Sequence, residues 1–275
     1  MPDTLVSPEL TKRQFQQISE QVYRLCGIYL PAGKEGLVKS RLMKRLRALR
    51  LQSFDQYLHY IEQDRSGQEL VAMVEVLTTN KTSFFREAQH FDYLRRYVFP
   101  TMRHPSQRVR FWSAGCSSGE EPFSLAIVLC EAFPDIAQRD IRILATDIAT
   151  RMLQKAREAI YEQDVLREVP AILLQKYFTC IRYQPPRAYR LNDTVRALVR
   201  FARLNLMDPW PMKGPFDVIF CRNVMIYFDR PTQQRLVQRF WELLKPGGYL
   251  LVGHSESLSA IVHPFRYVQP AVYVK

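Results

Sequence analysis

The chain has 275 residues and a formal net charge of +12, and its apolar fraction of 47% is typical of a globular protein. No run approaches the roughly 18 apolar residues of a membrane helix, and the first residues lack the features of a secretory signal. The five cysteines are scattered and form no C-x-x-C pair. They predict neither a disulfide framework nor a zinc site, and they favour a cytoplasmic protein.

The positive charge favours an anionic partner, such as nucleic acid, an acidic protein surface or a membrane face. It is concentrated in two segments, 34–50 and 176–203, each of which has seven basic residues and one acidic residue. Charge by itself does not distinguish among these partners, so the class of partner has to be inferred from the rest of the sequence.

Residues 8–75 are predicted to be helical, in a domain that covers 1–76. Their first long helix ends at Gly27, because glycine readily takes the left-handed conformation that follows a helix. Between 36 and 50, four apolar residues share one helical stripe that we expect to be buried: Val38, Leu42, Leu46 and Leu49. Four basic residues point away from that stripe: Lys39, Lys44, Arg47 and Arg50. They form either a solvated face or a surface that docks an acidic partner.

Residues 77–107 are interpreted as a linker, and from 108 to 275 predicted strands alternate with predicted helices. Short apolar strands separated by helices predict an α/β fold with a mostly parallel sheet that is covered on both faces. The segment 264–275 is predicted to add antiparallel edge strands. The stretch at about 177–204 interrupts the alternation, and we interpret it as a small antiparallel β insert that stands off the sheet.

The segment FWSAGCSSGEEP, 111–122, predicts a strand, a glycine turn and the start of a helix. Ligands of open α/β sheets bind at such turns, at the carboxyl ends of the strands. The spacing of Gly115 and Gly119 differs from the dinucleotide pattern G-x-G-x-x-G, and Glu120 and Glu121 would repel a phosphate at the helix N-terminus. The turn therefore disfavours NAD and ATP and favours a neutral or cationic ligand.

Asp147 ends the next predicted strand, in the segment LATDI. A carboxylate at this place accepts hydrogen bonds from both hydroxyls of a ribose, or else it caps the helix that follows. A nucleoside that lacks phosphate and carries a positive charge suits both Asp147 and the glycine turn. S-adenosylmethionine has a ribose and a sulfonium, so the sequence predicts it as the cofactor.

Four segments resemble the chemotaxis receptor methyltransferases of the CheR family. They are TTNKTSFFRE (78–87), SAGCSSGEEPFSLAI (113–127), ATDIATRMLQKAREAIY (145–161) and the long segment 215–258, which begins PFDVIFCRNVMIYFD. The resemblance implies a class I, Rossmann-like methyltransferase sheet, an N-terminal all-helical domain and a small antiparallel β insert. It also implies S-adenosylmethionine as methyl donor, with S-adenosylhomocysteine as product.

The resemblance further implies which residues form the site. By similarity, the cofactor-binding residues are Asn80, Thr82, Arg86, Gly115, Glu120, Asp147, Asn205, Leu206, Arg222 and Asn223. Asn80 and Thr82 would meet the methionine end of the cofactor, and the pair at 205–206 would border its adenine. The predicted catalytic residues are Arg86, which would orient the incoming carboxylate, and Tyr227, which would lie near the transferable methyl.

In the family the methyl acceptor is a glutamate side chain of a membrane chemoreceptor. The resemblance therefore implies a protein-glutamate O-methyltransferase, cytoplasmic and recruited to receptor arrays, whose basic helix docks beside acidic methylation helices. In some members the β insert also binds the receptor's C-terminal tail, and their insert loop contains glycine. This chain has QPPR instead and no glycine between Phe178 and Arg203. We expect a monomer that does not insert into the membrane.

Two other functions are compatible with the same fold. An RNA methyltransferase would use the positive charge to bind phosphates, but the sequence shows no base-handling motif and no RNA-binding module. A binding module that keeps the cofactor as a sensor would have no need of Arg86, Asn223 and Tyr227, which are all present.

Overall fold

A computed structural model describes residues 8–78, 80–102 and 104–275. These residues divide into two compact units. The helical unit comprises the described part of residues 1–79 and the short segment Tyr227–Asp229, and the sheet unit comprises the described part of residues 80–226 and 230–275. Within the described ranges, no helix combines the length and the apolar character needed to cross a membrane.

The helical unit contains α1 (Lys12–Cys26), α2 (Glu35–Leu49), α3 (Phe54–Gln63) and α4 (Gln68–Leu77). Helix α1 begins after a capping box, in which the Thr11 hydroxyl accepts from the Gln14 N–H and the Gln14 side chain accepts from the Thr11 N–H. The helix ends as predicted at Gly27, which has a φ of 72°. Local side-chain chemistry thus defines both ends of α1.

Helix α2 buries the apolar stripe that its sequence predicts. Three of the four stripe residues are fully buried: Val38, Leu42 and Leu46. Leu49 is half-buried, because it lies in the last turn of the helix. Arg45 of the same helix forms a two-pronged ion pair with the buried carboxylate of Glu69 in α4, at 2.9 and 2.5 Å, which joins the two helices.

The strands of the sheet unit are β1 (Val109–Ala114), β2 (Ile141–Asp147), β3 (Ile160–Glu162), β4 (Phe178–Arg182), β5 (Ala188–Leu191), β6 (Val199–Arg203), β7 (Phe216–Cys221), β8 (Leu244–Val252), β9 (Arg266–Gln269) and β10 (Val272–Val274). The main sheet has the order β6-β2-β1-β7-β8-β10-β9. In this order the first five strands, β6, β2, β1, β7 and β8, are parallel. Strand β10 is antiparallel to β8, and β9 is antiparallel to β10, which confirms the predicted mostly parallel sheet. The turns after β6, β2, β1 and β7 therefore meet at one edge.

The helices of the sheet unit are α5 (Gln89–Tyr93), α6 (Glu120–Ala132), α7 (Thr150–Glu158), α8 (Ala171–Tyr177), α9 (Asp193–Ala197) and α10 (Arg230–Leu243). Every residue of β7 is buried, as expected of a strand that is covered on both faces. Helix α6 buries most of its length, including Phe123, Leu125 and Ile127, so its N-terminus is held firmly at the end of β1.

Residues 89–101 differ from the predicted linker, because they are helical and packed into the core of the sheet unit. Helix α5 continues through a π-helical turn, Leu94–Val98, and a short 3₁₀ turn, Phe99–Thr101. Phe91, Leu94 and Val98 are buried. Their spacing is helical, but the neighbouring basic residues and Pro100 obscured the pattern in the sequence.

The β insert differs from the predicted stretch of about 177–204. It is a three-stranded antiparallel sheet in the order β3-β5-β4, so it begins earlier, at Ile160, and ends at Leu191. Strand β6, which the prediction placed in the insert, pairs in parallel with β2 in the main sheet. As an edge strand it keeps one side exposed to water, so its basic and apolar residues alternate as they would in a hairpin.

Candidate functional site

The turn between β1 and α6 depends on two glycines. Gly115 has a φ of 88° and Gly119 a φ of 97°, a backbone region that other residues rarely adopt. A Cβ atom on Gly115 would collide with the Val224 side chain, and one on Gly119 would lie 3.0 Å from both Ala156 Cβ and the Tyr161 hydroxyl. The turn therefore has no room for a side chain at Gly115 and only a tight fit for one at Gly119.

Asp147 joins this glycine turn to the turn that follows β2. One carboxylate oxygen accepts from the Ser117 N–H at 2.8 Å, and the other accepts from the Ala149 N–H at 2.9 Å. The side chain is buried at the end of its strand. The contact to Ala149 is a local turn just before α7, whose N-cap residue Ala149 has no side-chain cap, so the alternative role of Asp147 as a helix cap is not observed. The contact to Ser117 places the same carboxylate at the carboxyl edge of the sheet.

Glu120 is a buried carboxylate at the start of α6, with 4% of its surface exposed. The Ser118 hydroxyl lies 2.9 and 2.8 Å from its two oxygens. Burial raises the pKa of Glu120, while its own backbone N–H and Ser118 act in the opposite direction. A cationic ligand would stabilise this buried carboxylate, and the role of Glu120 in binding one stays a prediction.

Residues 80–88 form an irregular segment beside the turn. The Asn80 carbonyl accepts from the Ser117 hydroxyl at 3.2 Å, and the Phe85 N–H donates to the Ser124 hydroxyl at 2.8 Å. Phe85 and Glu87 have φ values of 54° and 55°, which places left-handed residues on both sides of Arg86. Such conformations cost on the order of 1 kcal/mol each and concentrate at functional sites. The half-buried Arg86 side chain donates to the carbonyl of Lys81 at 2.9 Å.

Arg222 follows β7, and its side chain is only 2% exposed. It donates to Glu121 at 3.1 Å and to Glu87 Oε2 at 3.1 and 3.3 Å. It also donates to the backbone carbonyl of Arg86. Arg222 thus joins three parts of the sheet unit: the end of β7, the start of α6 and the segment 80–88.

The two partners of Arg222 have opposite pKa shifts. Burial raises the pKa of the Glu121 carboxyl, although Arg222 and the Ser113 hydroxyl, 2.6 Å away, act against it. Burial also acts to raise the pKa of Glu87, but Arg222 and the His254 N–H outweigh it and hold that pKa below its usual value. The segment 80–88 is therefore anchored by an ionised carboxylate.

Asn223 is left-handed, with a φ of 59°, and its loop is held by Glu256. The Glu256 carboxylate accepts from the N–H groups of Gly253 at 2.6 Å, Asn223 at 2.7 Å and Ile226 at 3.1 Å. Burial raises the pKa of Glu256, and these amides oppose the shift. One buried acid therefore holds together the ends of β7 and β8.

Asn205 and Leu206 lie directly after β6. The preceding N–H, of Leu204, donates to the Asp147 carbonyl at 3.0 Å, so the pair lies beside the end of β2. The Asn205 side chain accepts from the Met207 N–H and donates to Asp208, both at 3.1 Å. Leu206 is buried, and its backbone carbonyl accepts from side chains farther along the chain. The Asn205 side chain therefore shapes this turn.

Ten of the predicted site residues belong to the sheet unit: Asn80, Thr82, Arg86, Gly115, Glu120, Asp147, Asn205, Leu206, Arg222 and Asn223. The others belong to the helical unit. There the Tyr227 carbonyl accepts from the Tyr29 N–H at 2.8 Å, and Lys39 forms an ion pair with Glu9 at 2.6 Å. Lys44, Arg47 and Arg50 are exposed. The roles of Tyr227 and of these basic residues stay predictions.

Sequence reasoning did not assign a role to two acidic residues of the site, Glu87 and Glu256, and it used a third, Glu121, only as a charge that repels phosphate. Each lies inside a segment that carries the family resemblance, so its position was visible. Glu87 and Glu121 share a distant partner, since Arg222 is 135 residues from Glu87 and 101 from Glu121, and Glu256 accepts from Asn223, 33 residues away. Only the folded chain brings these charges into contact.

Comparison with known proteins agrees with this architecture. The family model "CheR methyltransferase, all-alpha domain" matches residues 13–78, and "CheR methyltransferase, SAM binding domain" matches residues 80–274. Chemotaxis protein methyltransferase 2 of Pseudomonas aeruginosa is 42% identical over 99% of this chain and 99% of its own length. The chemotaxis protein methyltransferase of Klebsiella aerogenes is 42% identical over 96% of this chain and 90% of its own.

The two family models divide the chain between a helical part and a sheet part, and the second names the cofactor that the glycine turn and Asp147 predict. The match extends over nearly the whole chain and includes every segment that lines the site. This chain therefore belongs to the CheR methyltransferase family, and its sheet unit is the domain that binds S-adenosylmethionine.

Proposed function

We propose that this protein transfers a methyl group from S-adenosylmethionine to glutamate side chains of methyl-accepting chemoreceptors and forms glutamate methyl esters. The main support is the pair of buried carboxylates, Glu120 and Asp147, at the turns after β1 and β2. They suit a cationic nucleoside. The curated relatives are named as chemotaxis protein methyltransferases, which supports a chemoreceptor as the acceptor.

The residues at the sheet edge fit this cofactor. The Asp147 carboxylate lies at the turns after β1 and β2, where a ribose hydroxyl can donate to it, and Glu120 offers negative charge for the amino group of the methionine portion. Asn205 and Leu206 lie beside the end of β2, where an adenine would continue from the ribose. When bound, S-adenosylmethionine supplies a methyl group on a positively charged sulfur.

The acceptor needs no general base, because a glutamate carboxyl has a pKa of about 4.3 and is ionised at neutral pH. The protein's task is to align the carboxylate oxygen with the methyl carbon and to exclude water. Arg86 would orient the carboxylate through charge-assisted hydrogen bonds. Arg222 fixes the backbone of Arg86 and is itself held by Glu87 and Glu121, so we assign it a positioning role.

The exposed basic residues of α2 would dock the acidic receptor helices. Lys44, Arg47 and Arg50 are exposed, and Lys39 adds charge on the same helix next to Glu9. Electrostatic complementarity of this kind raises the rate of encounter and selects the partner. The enzyme would act from the cytoplasm on receptor arrays in the membrane.

The test is to incubate the protein with methyl-labelled S-adenosylmethionine and bacterial membranes that contain chemoreceptors, and then to treat the labelled protein with alkali. Carboxyl methyl esters hydrolyse and release volatile labelled methanol, which is the expected result. Alkali-stable label in added RNA would instead support an RNA methyltransferase and overturn the proposal.

Arg86→Ala tests the catalytic assignment in the same assay. Loss of a hydrogen bond to a charged group costs about 1.5–3 kcal/mol, so we expect turnover to fall roughly 10- to 100-fold. Binding of S-adenosylmethionine, measured by equilibrium dialysis, should be largely retained, and Arg86→Lys should recover part of the turnover. Wild-type turnover in Arg86→Ala would exclude this role.

A further inference from the structure

Three potential metal ligands lie together in the sheet unit. Glu87 belongs to the segment 80–88, His90 to α5, and His254 follows β8. One ligand atom of each residue lies within 4.8 Å of the other two. The proposed methyl transfer uses neither histidine.

His90 is the observation that points to a ligand. Its side chain is fully buried, and neither ring nitrogen has a hydrogen-bond partner among the residues that the structure describes. An unsatisfied buried polar group costs about 1–3 kcal/mol, so buried imidazoles are normally paired. Glu87 Oε2 lies 3.6 Å from His90 Nδ1, too far for a hydrogen bond and close enough for both atoms to bind one ion.

His254 opens the cluster to solvent. It is exposed, and its ring centroid lies 5.2 Å from that of His90. Its backbone N–H donates to Glu87 Oε1 at 3.3 Å, which holds the start of this loop against the segment 80–88. An ion can therefore enter from the side of His254, and water can complete its coordination.

We propose that Glu87, His90 and His254 bind a divalent transition metal of the Zn²⁺ class. Two imidazoles and one carboxylate suit Zn²⁺, Co²⁺, Ni²⁺ or Cu²⁺, whereas Mg²⁺ and Ca²⁺ prefer oxygen ligands alone. Three protein ligands leave at least one coordination position for water.

Arg222 connects the proposed metal site to the segment that carries Arg86. Its guanidinium lies 3.1 and 3.3 Å from Glu87 Oε2, so a metal ion and Arg222 compete for the same carboxylate. Arg222 also holds the Arg86 carbonyl. A bound metal ion therefore weakens the contacts that position Arg86, and it inhibits methyl transfer. This inhibition rests on the proposed function, whereas the metal binding does not.

The test is a titration of the metal-free, full-length protein with Co²⁺, followed by the visible absorption of low-coordinate Co²⁺. We expect one saturable site that Zn²⁺ displaces and that excess Mg²⁺ does not. His254→Ala removes an exposed ligand without disturbing the core. It should weaken metal binding by more than about 10-fold, since even the loss of a group that only orients a metal ligand costs that much. His59→Ala, at an exposed histidine of α3, is the matched control and should bind like wild type.

Absence of saturable Co²⁺ binding, or equal binding by wild type and His254→Ala, would overturn the metal site. In the methyl-transfer assay, Zn²⁺ should slow wild type and His59→Ala but not His254→Ala. Metal binding without an effect of Zn²⁺ on transfer would overturn the inhibition alone. Metal binding by a protein that transfers no methyl group would contradict the proposed function and leave the metal site standing.

Discussion

At the scale of single residues, the acidic side chains of the site differ in what donates to them. Asp147 and Glu256 accept from backbone N–H groups, and Glu120 accepts from a neighbouring hydroxyl. Glu87 and Glu121 share one arginine. The amide-bonded acids fix the backbone of the turns around them, whereas the two acids paired with Arg222 hold the side chain of that arginine. Acidic side chains therefore have two structural roles within this one site.

Glu256→Gln tests the role of an acid that accepts from backbone N–H groups. Glutamine keeps one acceptor oxygen and turns its NH₂ group toward backbone N–H donors, at a cost of about 1–3 kcal/mol. We expect the loop that carries Arg222 and Asn223 to loosen and kcat/KM for methyl transfer to fall roughly 10-fold. Glu242→Gln, at an exposed position of α10, is the control and should leave kcat/KM unchanged. Equal values for both variants would show that Glu256 does not position the loop.

At the scale of elements, the turn between β1 and α6 is the most constrained part of the site. Its two glycines have positive φ values, and side chains from the loop after β7 and from α7 fill the space around them. The turn takes its shape partly from the chain's own conformational preferences and partly from neighbours that pack against it.

Gly115→Ala should disrupt this turn, because a Cβ at a φ of 88° is strained and collides with Val224. We expect a loss of stability of about 1–3 kcal/mol in urea unfolding, with weaker binding of S-adenosylmethionine. Gly36→Ala is the opposite case, since this glycine lies in the first turn of α2 with nothing within 4 Å of an added Cβ. That variant should be neutral or more stable by up to about 1 kcal/mol. Equal effects of the two substitutions would contradict this account of the turn.

At the scale of the whole molecule, the net charge of +12 can attract an acidic partner only through basic side chains that are exposed and not already in an ion pair. Lys39 pairs with Glu9, and Arg45 is occupied by Glu69. The exposed basic residues of α2 and its C-terminal cap, Lys44, Arg47 and Arg50, therefore carry the docking hypothesis.

Reversal of these three charges to glutamate should raise KM for receptor membranes by roughly 10-fold and leave the affinity for S-adenosylmethionine unchanged. The wild-type rate should also fall as salt increases, because exposed charges are screened. Three exposed basic residues elsewhere serve as the control for net charge: Arg65, Arg108 and Lys213. A rate that is independent of salt up to about 0.5 M would count against electrostatic docking.

The sequence by itself determined the alternation of strands and helices, the buried stripe of α2, the glycine turn and the carboxylate at the end of β2. These features follow from local periodicity and local backbone chemistry, which neighbouring residues encode. The same local information defined the class of cofactor, because Glu120 and Asp147 are close in sequence to the strands that position them.

Only the tertiary structure decided what holds the site together. Strand β6 joins the main sheet and not the insert. The sequence could not show this, because an exposed edge strand and a hairpin strand have the same alternating pattern. Residues 89–101 join the core, although their basic residues and Pro100 resemble a linker. The contacts of Arg222 and Glu256 connect segments far apart in the chain, and the metal cluster combines the segment 80–88, α5 and the loop after β8. Contacts between distant segments depend on how the chain folds back on itself, which no local pattern specifies.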